Sequence, residues 1–412
     1  MGKCRLLNWK IRITIIFSFL FFSLQLFLYA RQEISPKILK MLKEKHDCGT
    51  NIIEEIIINW DNLSQEIKNV TNLQVSKTTN GDLIIYSMEP ILDQSTSTLH
   101  FIIEYTTIGV HGVPQMDSFP QNGIPDYIDT LAHRLENYTW YYEINVLGYT
   151  PPPTPYKVRV MDSYNAYGFV FNGAFIPETV SGGLVTKSHI VIDNDLVLSS
   201  VDTDAHEFFH AIQSHNYNAY LVTADSEGIK GRWWKEASAT WMGDEVSQYD
   251  SINYYKGYLD DNREGLFKFP EISLNAYVGV HQYSASIFCK YLTERSSGSW
   301  TPDIIKSIWE QCAVTKTALD AIDNVLKSKG TSLESEFPKF TVCNAILPFS
   351  KSDMFVDPQY RYSDDAATQY PPIKIIKTYN DAGQNQHYIS TYPARAGGEV
   401  PLKVIKKLAI VK

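Results

Sequence analysis

Cysteine is scarce: there are five in 412 residues, and none stands in a paired C-x-x-C spacing. That excludes a disulfide-built scaffold and gives no support to a cysteine-type zinc site. Positive charge is also in short supply. Lys and Arg number 37 against 46 Asp and Glu, a net charge of −9, and no basic stripe carries interleaved aromatics. Nucleic acid is therefore not an expected partner. Internal repeats and low-complexity linkers are absent, which argues against a solenoid or a string of tethered modules. What remains is an ordinary globular composition, 44% hydrophobic and 20% charged. The chain is long enough for a sizeable core and for two or three domains.

The first thirty residues differ from the rest. Lys3, Arg5, Lys10 and Arg12 precede an uncharged run from Ile13 to Tyr29, and Ala30 offers a small residue before Arg31. Residues 1–30 therefore read as a signal peptide or an uncleaved signal anchor, with the remainder secreted or held outside the cytoplasm. Membrane contact is expected only through that anchor. Export leaves Cys48, Cys289, Cys312 and Cys343, which allow three pairings or four buried thiols.

Along the chain, 31–75 has apolar residues at helical spacing, and strands are expected in "GDLIIYSM", "LHFIIEYTT", "YKVRVMD" and "HIVIDND". "YIDTLAHRLENYTWYYEIN" reads as a helix. Helices then dominate, over 200–215, 234–248, 281–295, 301–312 and 316–329, before strand-like segments return after 373.

The chemistry gathers in "DTDAHEFFHAIQSH", residues 202–215. On a helix, His206 and His210 differ by about 40° in azimuth and about 6 Å in rise, so both imidazoles can face one point. That spacing suits two ligands of a tetrahedral zinc. Glu207 is turned by about 100°, beside such a metal rather than on it, where it can take a proton from water. A catalytic zinc needs a third protein ligand and an open position. The chain has Gln213 and Asn216 where a third histidine on the same helix would require Gly and His. A glutamate from a later helix is the remaining solution. Glu236 in "GRWWKEASATWMGDEV" is the candidate, with Glu227 in the loop-like "DSEGIKG" as the alternative.

HEFFH followed by W-W-x-E-x-x-A-x-W resembles the gluzincin arrangement of thermolysin-like proteases and zinc aminopeptidases. The chain is more similar still to a family of secreted bacterial and archaeal metalloproteases. "CGT" at 48–50, "YTTIGVHGVPQMD…NGIPDYID" at 105–129, "HIVIDND" at 189–195 and "QYSASIFCKYL" at 282–292 carry that resemblance, with a weaker match in "RYSDDAATQYPP" at 361–372. It spans roughly residues 45–375. The resemblance implies that His206, His210 and Glu236 are the zinc ligands and that Glu207 is the general base. It also implies that Tyr283 donates to the oxyanion, with His281 as the fallback donor. The chain departs from the family at Gly243, where relatives carry an acid that supports a ligand histidine. Asp244 or Asp204 could substitute.

The expected architecture is α+β: a zincin-like catalytic domain over 96–375, in which a twisted sheet packs on the active-site helix and a helical lobe closes the other side. Residues 31–95 form an N-terminal segment that could be a pro-region, and 376–412 a small β-rich appendage. The expected function is an exported zinc peptidase with one catalytic Zn2+ acting on peptides or proteins. The alternative is a catalytically weak or inactive cell-surface binding or adhesion protein on the same fold. A Ca2+ site in "QNGIPDYID" is a weaker expectation, because Ser118 and Pro120 fall where the first ligands belong. A structural turn, with Asp126 or Asp129 capping the next helix, is preferred there.

Overall fold

Alternation sets the strands. In "FIIEY", Phe101, Ile103 and Tyr105 share one face, and these three are the buried ones. "YKVRV" repeats the pattern with Tyr156, Val158 and Val160. The computed structural model describes residues 36–167, 169–182, 184–196, 201–217, 231–247, 255–295, 300–315, 317–346, 362, 370–374, 377–381 and 384–388. The expected signal run at 1–30 and the alternative ligand Glu227 lie outside them. No helix among the described residues is long and apolar enough to cross a membrane.

A short helix at 36–41 (α1) leads into β1 (His46–Cys48), α2 (Thr50–Ile58) and α3 (Gln65–Val70). Strands β2 (Leu73–Lys77), β3 (Leu83–Ser87), β4 (Gln94–Ser97) and β5 (Phe101–Tyr105) follow. The helix expected over 127–145 is α4 (Asp126–Arg134), which continues as a π-helix over Leu135–Val146. Next come β6 (Tyr156–Val160), α5 (Ser163–Tyr167), β7 (Phe171–Ser181) and β8 (Leu184–Ile192). The helical part comprises α6 (Val201–Asn216), α7 (Arg232–Ser247), α8 (Tyr255–Leu259), α9 (His281–Ser284), α10 (Ser286–Glu294), α11 (Asp303–Cys312), α12 (Ala318–Ser328) and α13 (Leu333–Ile346). A separate two-stranded sheet joins β9 (Lys377–Asp381) to β10 (Gln384–Tyr388).

The fold is α+β around a mixed eight-stranded sheet, ordered β2-β3-β7-β8-β6-β5-β4. β1 adds to β7 in parallel, pairing His46 with Phe171 and Cys48 with Gly173, while β3 pairs further along β7 at Thr179 and Val180. Strands from 31–95 are thus part of the same sheet as β5 to β8. β8 ends in the unbroken buried run Ser188–Ile192, as expected of a central strand covered on both faces. Helix α6 packs on β7 and β8, and α7 packs on α6 from the helical side. One continuous apolar core runs from Ile38 to Tyr370. Helix α6 is held between that sheet and the helical lobe.

The capping expected at α4 is not what the structure has. Pro125 occupies the cap position and gives no side-chain hydrogen bond. The Asp126 carboxylate turns back to accept from the Ser118 and Phe119 backbone N–H groups at 2.9 and 3.2 Å. Asp129 accepts from Asn122 Nδ2 at 3.1 Å. Both acids tie the loop instead.

Candidate metal centre

Helix α6 is amphipathic in an unusual sense, since nearly all its sides are buried. Phe208, Phe209, Ala211 and Ile212 pack against sheet and lobe, so the polar His206, Glu207 and His210 are enclosed with them. Enclosed polar groups must find partners or a cation. The two imidazoles converge, with His206 Nε2 3.0 Å from His210 Nε2. Glu236 reaches the same point from α7. Its Oε2 lies 3.3 Å from His206 Nε2 and 3.4 Å from His210 Nε2. Neither Glu236 oxygen has a hydrogen-bond donor in good geometry.

A fourth group was not expected. Cys48 Sγ, at the end of β1, lies 3.7 Å from His210 Nε2. The donor atoms of Cys48, His206, His210 and Glu236 all fall within 4.8 Å of one another, and all four residues are buried. This buried cluster could hold a metal ion. Bonds of about 2.0–2.3 Å at tetrahedral angles would separate donor atoms by about 3.3–3.6 Å. The spacings of 3.0, 3.3, 3.4 and 3.7 Å lie in and just outside that range. Among the described residues no other group of three such side chains comes together in this way, those of the loop where Ca2+ was the weaker expectation included.

The His210 ring is oriented by residues behind it. His210 Nδ1 meets Gln213 Oε1 at 2.8 Å. The Gln213 amide is fixed in that sense because its Nε2 donates to the Lys235 carbonyl and to Ser238 Oγ, each at 3.1 Å. Nδ1 must therefore carry the proton, and Nε2 presents its lone pair to the centre. The two acids expected in this role are held by other partners. Asp204 accepts from Arg134 Nε at 2.6 Å, and Asp244 accepts from Lys290 Nζ at 2.8 Å.

Gly243 has a steric cause. A Cβ there would sit 2.8 Å from the Asp202 carbonyl oxygen, so α7 approaches the start of α6 too closely for any side chain. Asp202 instead brings a carboxylate to the cleft, one helical turn before His206. Burial and then Asp204 push its carboxyl up to about 7, against the pull of His206.

Glu207 Oε2 accepts from Thr50 Oγ1 at 2.9 Å, while Oε1 is buried without a partner. Its side chain lies flat against β7, where a Cβ on Gly173 would be 2.8 Å from Glu207 Cγ. Only glycine allows that approach. Tyr283, at the start of the α9–α10 region, has its ring centroid 6.2 Å from that of His206 and accepts a hydrogen bond from Asn51 Nδ2 at 3.0 Å. The cleft is lined by Asp47, Cys48, Asp202, His206, Glu207 and Tyr283, among others.

Two other histidines sit apart. His281 Nδ1 donates to the Glu264 carbonyl at 3.0 Å, and burial holds its pKa down. His215 meets Ser188 Oγ at 2.9 Å on β8, with its pKa lowered by burial to about 4. Within the centre, burial opposes a charged His206, but the nearby Glu236 and Glu207 carboxylates outweigh it and raise its pKa. Burial raises Glu236 and the facing histidines lower it, with a net shift downward. Burial, Glu207 and Glu236 push the Cys48 thiol well up. A divalent cation would reverse that last direction.

Sequence reasoning thus brings His206, Glu207, His210, Glu236 and Tyr283 to one place, and it misses Cys48, Thr50, Asn51, Asp202 and Gln213. The first three lie in "DCGTN", and Gln213 stands at i+3 from His210, a spacing that signals support. Compared with models of known protein families the chain matches none, and comparison with curated proteins also finds no match. What the site can do is therefore read from its own chemistry.

Proposed function

We propose that the chain is an exported zinc peptidase of zincin-like, gluzincin-type architecture, as the motif resemblance implies. Two imidazoles, a carboxylate and a thiol form a donor set of the kind zinc takes. His206, His210 and Glu236 would hold the ion, which supplies Lewis-acid polarisation of a peptide carbonyl and acidifies water. Glu207 takes the proton from the attacking water and passes it to the leaving amine. The Tyr283 hydroxyl donates to the oxygen that gains charge.

The observation that carries this reading is Glu207. A purely structural metal site has no use for a buried carboxylate beside its ligands, with one oxygen tethered by Thr50 and the other unpartnered. A second reading, a binding or adhesion protein with a structural ion, is favoured by one fact: Cys48 makes the donors four, and structural sites are closed.

Metal content and casein hydrolysis separate the two, measured with Cys48 intact and with Cys48→Ala. A chelator should abolish hydrolysis and zinc should restore it. Glu207→Gln should keep the metal and lose turnover in either background. Zinc retained with no hydrolysis in any background would establish the binding protein instead.

A further inference from the structure

We propose that Cys48 is the fourth protein donor of this centre and that the segment His46–Asn51 is an internal strap closing the cleft. The proposal rests on the metal reading given above. Its basis is how many separate contacts one short segment makes with the site.

β1 takes the edge of β7 beside α6, where an added peptide strand would otherwise find backbone partners. His46 N–H donates to the Val170 carbonyl at 2.9 Å, and Gly49 N–H donates to the Gly173 carbonyl at 2.8 Å. Gly49 lets the strap lie this close to β7, since a Cβ there would lie 2.8 Å from the Phe171 ring. That pairing delivers Cys48 Sγ to the ligand cluster. The next residue but one, Thr50, holds Glu207, and Asn51 holds Tyr283. The strap therefore touches a proposed ligand, the proposed base and the proposed oxyanion donor.

Glu236 Oε2, the carboxylate oxygen that faces both histidines, is buried and has no hydrogen-bond donor. A buried carboxylate left in that state calls for a cation.

Core packing holds the chain on both sides of the strap, with Ile38 of α1 and Leu42 buried upstream. Downstream, Ile52, Ile53, Ile56 and Ile57 are in the core. Lys235 donates to Glu54 and Arg232 donates to Glu55, which pins α2 to the start of α7. Between these anchors, β1 is three residues long. Opening the centre therefore means peeling 46–49 from β7, with α2 left in place. With Cys48 as a fourth donor, the protein would supply all four of the positions zinc usually takes, leaving none for water or substrate.

Loading the full chain with Co2+ tests this without relying on turnover. The native protein should show a thiolate-to-cobalt charge-transfer band, and Cys48→Ala should bind Co2+ without it. Acetohydroxamate should then perturb the cobalt spectrum of Cys48→Ala and leave the native spectrum unchanged. With zinc, Cys48→Ala should hydrolyse casein at least tenfold faster than the native chain. Cobalt bound by the native chain without the thiolate band, or a native spectrum equally shifted by hydroxamate, overturns the strap while the metal centre stands. That readout needs no variant. Failure of the native chain to bind Co2+ overturns both readings. A band lost in Cys48→Ala, an opened spectrum and still no hydrolysis would establish the closure and refute the peptidase.

Discussion

Gln213 occupies the position where a glycine would continue a three-histidine helix, and the structure gives it a different task. It holds His210 in one tautomer through a chain that ends on Lys235 and Ser238, and Ser238 is in turn met by Trp309 Nε1 at 3.1 Å. Gln213→Ala should lower zinc affinity 10- to 100-fold, as loss of a ligand's outer partner generally does. Competition against a chromophoric chelator measures it, and an unchanged affinity would show that the ring needs no such support. Gly243 makes the opposite point. Installing an acid at this position, Gly243→Asp, forces a Cβ against the Asp202 carbonyl oxygen 2.8 Å away. The backbone has to move, so the variant should be less stable by about 1–3 kcal/mol and no more active. Denaturant unfolding decides it: a Gly243→Asp chain as stable as the native one would refute the steric account.

At the level of elements, β8 was readable and its neighbour β7 was not. "HIVIDND" is a short apolar run of β-branched residues, whereas "FNGAFIPETVS" contains Gly173 and Pro177, which ordinarily argue against a strand. The structure accommodates both. Pro177 sits where the β7–β8 register slips, and Gly173 faces Glu207. The two histidines and Glu207 were legible because helical spacing fixes where i, i+1 and i+4 point, and Glu236 because the helix offers no third histidine and a glutamate from a later helix is the remaining solution. Cys48 was not, because its partners lie more than 150 residues away and only the pairing of β1 with β7 brings it in.

β8 also carries His189, enclosed between Glu89 at 2.8 Å and Glu178 at 2.9 Å. Arg159 and Tyr167 also reach Glu89, and Lys187 reaches Glu178. Burial opposes a charged His189, but the two carboxylates win and its pKa is raised. Burial is likewise outweighed at Glu178, which falls to about 2, and at Glu89, which is also lowered. The His189 contribution is therefore full below the ordinary histidine value of about 6.5 and is lost as pH rises through the raised one. The carboxylate contributions are full above about 4.3 and are lost as pH falls through the lowered values. His189→Gln should thus cost most in melting temperature at about pH 5–6, with the difference shrinking on the alkaline side. A difference that stays constant from about pH 5 to about pH 9 would show that His189 is not charged in the fold.

For the whole molecule, the donors come from three distant stretches: Cys48 on the sheet edge, His206 and His210 on the central helix, and Glu236 on the first helix of the lobe. An ion bound there joins sheet, helix and lobe, and because the unfolded chain scatters these groups, binding is coupled to folding. At free zinc a thousandfold above the dissociation constant, the linkage is worth about 4 kcal/mol, or roughly 5 °C in melting temperature for a chain of this size. Chelation should remove that increment, and zinc should restore it in proportion to the logarithm of its concentration. Cys48→Ala should retain a smaller increment, because two helices remain joined when the sheet edge is released. Glu207→Gln should retain all of it, since Glu207 stands beside the donors. Equal increments in the native chain and Cys48→Ala would mean that the thiol contributes nothing to the bound ion, whatever its position beside His210.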